Sequence, residues 1–292
     1  MEWFIATVGA ALIWSFTGII AKELMDQDSS IVYSFLYTVL ALIFYTPVFL
    51  YFLPRTAISL ELLTLGIFAV SGIGNIFGIM SYNYSIKLGE LSRVIPFTKL
   101  NPVFTAIIAA VVLGERMTLT RVMGIILVTV GSYVILEEKN TGWKQPFRTF
   151  IRERGPKVAA LSALIYSFAA VADRYLTQII QPEIYNFMIY LFMATGLTTY
   201  ILATRRDVIP RIIPDFRQHL YKYIATGIGA AFASYLIFYA FSQAPASRVI
   251  PVLQIQVLIS VIAGVVLFDE KNLREKMIGA IILIAGITLI AI

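Results

Sequence analysis

Ser92-Arg93-Val94-Ile95-Pro96 recurs unchanged as Ser247-Arg248-Val249-Ile250-Pro251, 155 positions further along. Carried forward without a gap, that shift pairs Glu115 with Glu270, Arg116 with Lys271, Gly124 with Gly279 and Gly131 with Gly286. Upstream, a shift of 152 lays Ala11-Leu12-Ile13-Trp14-Ser15-Phe16 on Ala163-Leu164-Ile165-Tyr166-Ser167-Phe168, and pairs Lys22 with Arg174 and Tyr33 with Tyr185. Chance explains isolated Ile or Val matches between apolar stretches. It does not explain a five-residue identity followed by Glu and Gly in register. The chain reads as an internal duplication, with copies at 1–137 and 156–292 and a basic connection at 138–155.

The material that was duplicated is apolar. Of 292 residues 59% are hydrophobic and only 14% charged, and the mean hydropathy is +0.83. Soluble domains average about 45–50% and about 25%, so this chain cannot supply a polar skin. A membrane helix needs about 20 apolar residues. Ten segments approach or meet that length: 3–24, 31–53, 61–86, 92–113, 119–137, 156–180, 183–204, 219–243, 246–267 and 273–291. Backbone groups cannot stay unpaired in lipid, and the stretches are too long and unalternating for barrel strands. The expectation is an all-α polytopic membrane protein. The first segment has no basic leader and no small-residue cleavage site, and reads as a retained helix.

Ten segments in two copies make five per copy, an odd number. The second copy then enters the membrane from the opposite side, giving two inverted five-helix repeats. This is the frame of many secondary transporters, with the substrate near the midplane between the halves.

Several functions are excluded for want of parts. There is no cysteine, hence no disulfide or thiolate chemistry. The single histidine, His219, lies beside Arg217 and Lys222 at the edge of an apolar stretch and builds no metal site. No cofactor is expected. The net charge of +6 sits between apolar segments, where orientation signals belong, so nucleic acid is not a partner. Gly-Xaa-Ser-Xaa-Gly, Walker and His-Glu-Xaa-Xaa-His motifs are missing, which speaks against an enzyme and against self-contained ATP-driven pumping.

The chain resembles the EamA-type transporters of the drug/metabolite transporter superfamily along its whole length. The resemblance rests on the five-plus-five layout, on Trp14-Ser15, and on Asn101-Pro102 some thirteen residues before Gly114-Glu115-Arg116. Gly124 and Gly131 follow in the first half, and Asp269-Glu270-Lys271, Gly279 and Gly286 in the second. It implies export of an amino acid or related metabolite from the cell membrane of a prokaryote, with both termini in the cytoplasm. Two features depart from it. Val257 stands at the counterpart of Pro102. The charge count places the termini outside: an inside N-terminus would leave only Arg55, Arg116, Arg121 and Arg248 in cytoplasmic connections, against Lys87, Arg93, Lys271, Arg274, Lys276 and both basic connections opposite.

Lys99 is the most informative single residue, because a lysine deep in a membrane segment costs about 2.5–3.5 kcal/mol on insertion scales. It either lines a cavity that attracts a carboxylate or phosphate, or snorkels to the interface. Its repeat partner is Gln254. Asn75, Asn83, Asn101, Gln254 and Gln256 need partners from helices or substrate. Trp14 and Tyr166 hold equivalent places and, with Tyr82, Tyr235 and Tyr239, could line an aromatic pocket; packing is the alternative. Asp173 is the candidate for coupling to a proton gradient, or else half of an ion pair with Lys99 or Lys22. Glu115 and Glu270 suit structural roles in the turns after their helices.

The sequence therefore points to a carrier that moves a small polar or amphipathic metabolite, with Lys99, Trp14, Tyr82, Asn83, Asn101, Tyr166, Tyr235, Tyr239 and Gln254 as substrate contacts and Asp173 as coupling site. Exchange of an anionic, phosphorylated metabolite is the alternative, and a channel stands further off. The partners are the substrate and the lipid bilayer; the oligomeric state is left open.

Overall fold

A computed structural model describes residues 1–27, 30–55, 61–88, 91–136, 150–259 and 273–291. Among these residues regular structure is helical throughout. The helices are α1 (Glu2–Gln27), α2 (Ser30–Phe52), α3 (Leu62–Lys87), α4 (Leu91–Thr98), α5 (Asn101–Val112), α6 (Leu119–Leu136), α7 (Arg154–Leu176), α8 (Pro182–Thr204), α9 (Ile209–Gln218), α10 (Leu220–Gln243), α11 (Ala246–Leu253) and α12 (Leu273–Ala291). Eight spans among the described residues are long and apolar enough to cross a membrane, one of them being Val94–Val112, made of α4 and α5 together. Ala246–Ile259 and Lys276–Ala291 are apolar but shorter. Hydroxyls along the helices return to their own backbone, as Ser34 Oγ does to the Ser30 carbonyl and Thr38 Oγ1 to that of Ser34. That satisfies them where water is absent.

The fourth segment is interrupted. After Pro96 the helix tightens, with Lys99 N–H donating to the Pro96 carbonyl (3.2 Å) and Leu100 N–H to that of Phe97 (3.3 Å). A new helix starts at Asn101, with Pro102 in its first turn, where a missing N–H costs nothing. The second copy repeats this. Gln254 N–H donates to the Pro251 carbonyl at 3.0 Å, and a turn separates α11 from helical residues 255–259. The interruption thus occurs at Lys99 and at its repeat partner Gln254, although Val257 replaces Pro102. What both copies share is a proline one turn earlier, Pro96 and Pro251.

One connection departs from expectation. Residues 205–218, read as a basic loop, contain α9. Its Ile212 and Phe216, one turn apart, pack on the cluster formed by Tyr33, Leu36, Val208 and Tyr223. An apolar pair at i, i+4 suffices to fold a charged connection onto its neighbours.

The chain forms two compact units. The first comprises Met1, Phe77–Val171 and Ala244–Ile292; the second comprises Glu2–Ile76 and Ala172–Gln243. Each draws helices from both sequence copies.

In the first unit α6 packs on α12. A Cβ added to Gly124 would lie 2.8 Å from the Gly286 carbonyl oxygen, and one on Gly131 2.8 Å from that of Gly279. The partners run in opposite order along the two helices, so α6 and α12 are antiparallel. The repeat relates Gly124 to Gly279 and Gly131 to Gly286, so each contact pair maps onto the other. Beside it Phe104, Ile108, Ala109 and Leu113 of the α5 region meet Leu164 and Val171 of α7.

The same reciprocity holds in the second unit. A Cβ on Gly72 would lie 2.3 Å from the Phe192 ring, and one on Gly227 2.5 Å from Leu40. The repeat relates Gly72 to Gly227 and Leu40 to Phe192. Small residues on α10, among them Thr226, Gly227, Gly229, Ala230 and Ala233, are buried and admit α1 and α2 at close range. Lipid gives no hydrophobic drive between helices, and such close approach is what holds them.

Candidate functional site

Asp173 is the one charged side chain among the described residues that is buried, at 5% exposure. It lies near the end of α7, in the second unit. Its Oδ1 accepts hydrogen bonds from Ser71 Oγ of α3 and, at 2.6 Å, from Tyr185 OH of α8. The two hydroxyl oxygens are 2.9 Å apart. Asn75, one turn beyond Ser71, donates to the Ser71 carbonyl (3.1 Å) and approaches its hydroxyl (3.4 Å). The Tyr185 ring is fixed edge-on between Phe238 (centroids 4.8 Å apart) and Phe68 (6.1 Å), which aims its hydroxyl at the carboxylate. Of the two readings of Asp173, the ion pair with Lys99 or Lys22 is not seen: among the described residues Asp173 is held by neutral hydroxyls. The neighbouring Arg174 turns the other way, donating to the Phe241 carbonyl.

The repeat gives this cluster an incomplete twin. Ser71 corresponds to Thr226 and Tyr185 to Tyr33, but Asp173 corresponds to Ala21. The duplication kept the scaffold in both copies and the acid in one.

Three further candidates lie in the second unit. Trp14 is half-buried on α1. Tyr235 and Tyr239, on α10, have ring centroids 6.4 Å apart. The Tyr235 hydroxyl donates to Glu183 Oε1 (3.0 Å) and that of Tyr239 to Glu2 Oε2 (2.7 Å).

The others lie in the first unit. Lys99 occupies the interruption between α4 and α5 and is half-buried. Gln254 occupies the matching interruption at 4% exposure, and among the described residues its Oε1 has no hydrogen-bond partner. Tyr82 is half-buried and Asn83 buried on α3. The Tyr166 ring packs over Gly78, where a Cβ would come within 2.9 Å of it. Asn101 ties α5 to α7: its Nδ2 donates to Ser167 Oγ (2.9 Å) and the Ala163 carbonyl (3.1 Å). Glu115 has the structural role foreseen for it. Gly114, at φ 65°, turns the chain so that Glu115 accepts from Ala246 N–H (2.9 Å) and from the N–H (3.2 Å) and hydroxyl of Ser247, capping α11. Glu270 lies outside the described residues.

Ser71 and Glu183 were missed by the sequence reading. A lone serine in an apolar helix carries no signal of its own. Glu183 follows a proline at a segment start and reads as a helix-start residue.

Comparison with known proteins follows this geometry. The model of the EamA-like transporter family matches residues 1–137 and again 154–292. An uncharacterized transporter of Archaeoglobus fulgidus is 25% identical over 180 residues, covering 61% of this chain and 61% of that protein; the match spans less than two thirds of that relative's length. A crystal structure of a protein with 17% identity superposes with a TM-score of 0.77 over 98% of this chain and 95% of that one, a likeness of fold. With both halves matched and membrane-length helices in place, the chain is an integral membrane protein that belongs to the EamA-like transporter family.

Proposed function

We propose that this protein is a secondary transporter of ten membrane helices in two inverted five-helix repeats, which exports a small polar or amphipathic metabolite, such as an amino acid, from a prokaryotic cell by alternating access. Asp173, held by hydroxyls and by no cation among the described residues, carries the reading. An ionised carboxylate inside a membrane is costly without a counter-charge. Hydroxyl partners serve either protonation state. They donate to the anion, and after rotation they accept from the protonated acid. One proton taken from water on one side and returned on the other thus couples transport to a gradient without dismantling the network. The antiparallel, reciprocal glycine pairs of α6 and α12 support the inverted arrangement, which commonly frames alternating access. Lys99, Gln254, Asn83, Asn101, Tyr82, Tyr166, Trp14, Tyr235 and Tyr239 are assigned to substrate contact. Among them Gln254 has an acceptor without a partner among the described residues, ready for a donor.

The test is solute counterflow in proteoliposomes, with and without an imposed pH gradient. Saturable counterflow of an amino acid, accelerated by the gradient in wild type and not in Asp173→Asn, supports the proposal. Counterflow confined to phosphorylated compounds and lost in Lys99→Ala favours anion exchange instead. Non-saturating conductance would point to a channel.

A further inference from the structure

We infer that Glu183, Asn186, Tyr45 and Tyr235 form a binding site for a protonated amine. All four lie in the second unit. Glu183 and Asn186 are one turn apart at the start of α8, Tyr45 is on α2 and Tyr235 on α10.

Three observations converge. The Glu183 carboxylate has no basic partner among the described residues; it accepts only the Tyr235 hydroxyl, at 3.0 Å. Asn186 is fully buried, and its Nδ2 donates to the Ala231 carbonyl at 3.0 Å. That bond fixes the amide's orientation and leaves Oδ1 as an acceptor, which has no hydrogen bond of good geometry among the described residues. Tyr45, 1% exposed, has a hydroxyl that makes no hydrogen bond of good geometry among the described residues; it faces the Asn186 amide, with Tyr235 and Glu183 near by. Buried polar atoms left unsatisfied are uncommon and call for a reason.

The chemistry of what is left open selects the ligand. A carboxylate and an amide oxygen can only accept, a phenol can accept as well as donate, and an ammonium group offers three donors and no acceptor. The Tyr45 and Tyr235 rings, 6.1 Å apart, add π faces that attract an organic cation. A hard metal ion takes about six to eight oxygen ligands and gains nothing comparable from rings. Further out, exposed Glu2 with Tyr239 repeats the acid–tyrosine pairing.

Identifying this amine with part of the transported solute rests on the transporter reading above; the binding itself does not. The experiment is therefore a binding one, on purified full-length protein in a neutral maltoside, with n-butylammonium chloride as probe. Sodium chloride and n-butyramide are the matched controls for ionic strength and alkyl chain. The amine should raise the melting temperature in a saturable way, and neither control should. Glu183→Gln should weaken binding about ten- to hundred-fold, the loss of one charged hydrogen bond, while the surface variant Asp207→Asn binds as wild type. If Glu183→Gln is not monodisperse, Tyr45→Phe, which keeps the ring, should also lose the response. Equal stabilisation by sodium chloride or by n-butyramide overturns the proposal, as does an undiminished amine response in either variant. An amine response in a protein that shows no counterflow would sink the transporter reading and leave this site standing.

Discussion

Gly131 and Gly279 block one another reciprocally: a Cβ on the first would lie 2.8 Å from the carbonyl oxygen of the second, and a Cβ on the second 3.0 Å from that of the first. The obstacles are backbone atoms, which cannot swing aside as a side-chain tip can. Gly131→Ala should therefore destabilise by about 1–3 kcal/mol, the usual penalty for overpacking. Gly66→Ala, with nothing within 4 Å of the new Cβ, should gain about 0.5–1 kcal/mol from helix propensity. Melting in detergent separates them; equal behaviour of the two would mean that α6 and α12 do not meet at these glycines.

Tyr185→Phe removes a hydroxyl 2.6 Å from Asp173 while keeping the ring between Phe68 and Phe238. A hydrogen bond to a charged group is worth about 1.5–3 kcal/mol. Gradient-driven uptake should fall while counterflow at uniform pH persists. Loss of both together would assign Tyr185 to substrate contact or to folding rather than to the proton.

Glu115 caps α11 from the turn after α5, a long-range cap that ties segments 131 residues apart. Glu115→Ala should cost about 0.5–2 kcal/mol, as other caps do, and Glu115→Gln less, since one acceptor oxygen remains. Hydrogen exchange of the Ala246 and Ser247 amides is the direct readout. Protection unchanged in the alanine variant would remove the cap from the account.

The Arg205 guanidinium holds the exposed Asp207 carboxyl below its ordinary range, through bonds of 2.9 and 3.0 Å. A carboxyl lowered on folding contributes above its unfolded value, about 3.9, and loses that contribution as the pH falls through its folded value. Exposed pairs contribute little. Asp207→Asn should leave melting at neutral pH nearly unchanged, and the two proteins should converge in acid.

Much of this was legible in the sequence because the duplication leaves its mark on the letters. The Gly124, Gly131, Gly279 and Gly286 register announced equivalent helices, and a lone acid in an apolar segment marked Asp173 without any structure. Its partners were not legible, since Ser71 is 102 residues away and a serine looks alike in every helix. Pro102 has no counterpart in the second copy, where Val257 stands. The interruption at Gln254 shows that a proline at that place is not required. The charges of 205–218 hid α9, because two apolar residues at i, i+4 weigh little against four arginines in a composition count but decide the packing.

On the proton-coupled reading proposed above, the replacement of Asp173 by Ala21 in the other copy would set a stoichiometry. A carrier with one titrating acid moves at most one proton per cycle. Each 100 mV of driving force on a single charge is worth about 2.3 kcal/mol, or close to a fifty-fold ratio at about 1.4 kcal/mol per tenfold. On the same reading, an acid kept in both halves would square that ceiling; with one, the steepest solute gradient would be fixed by a single buried carboxyl group.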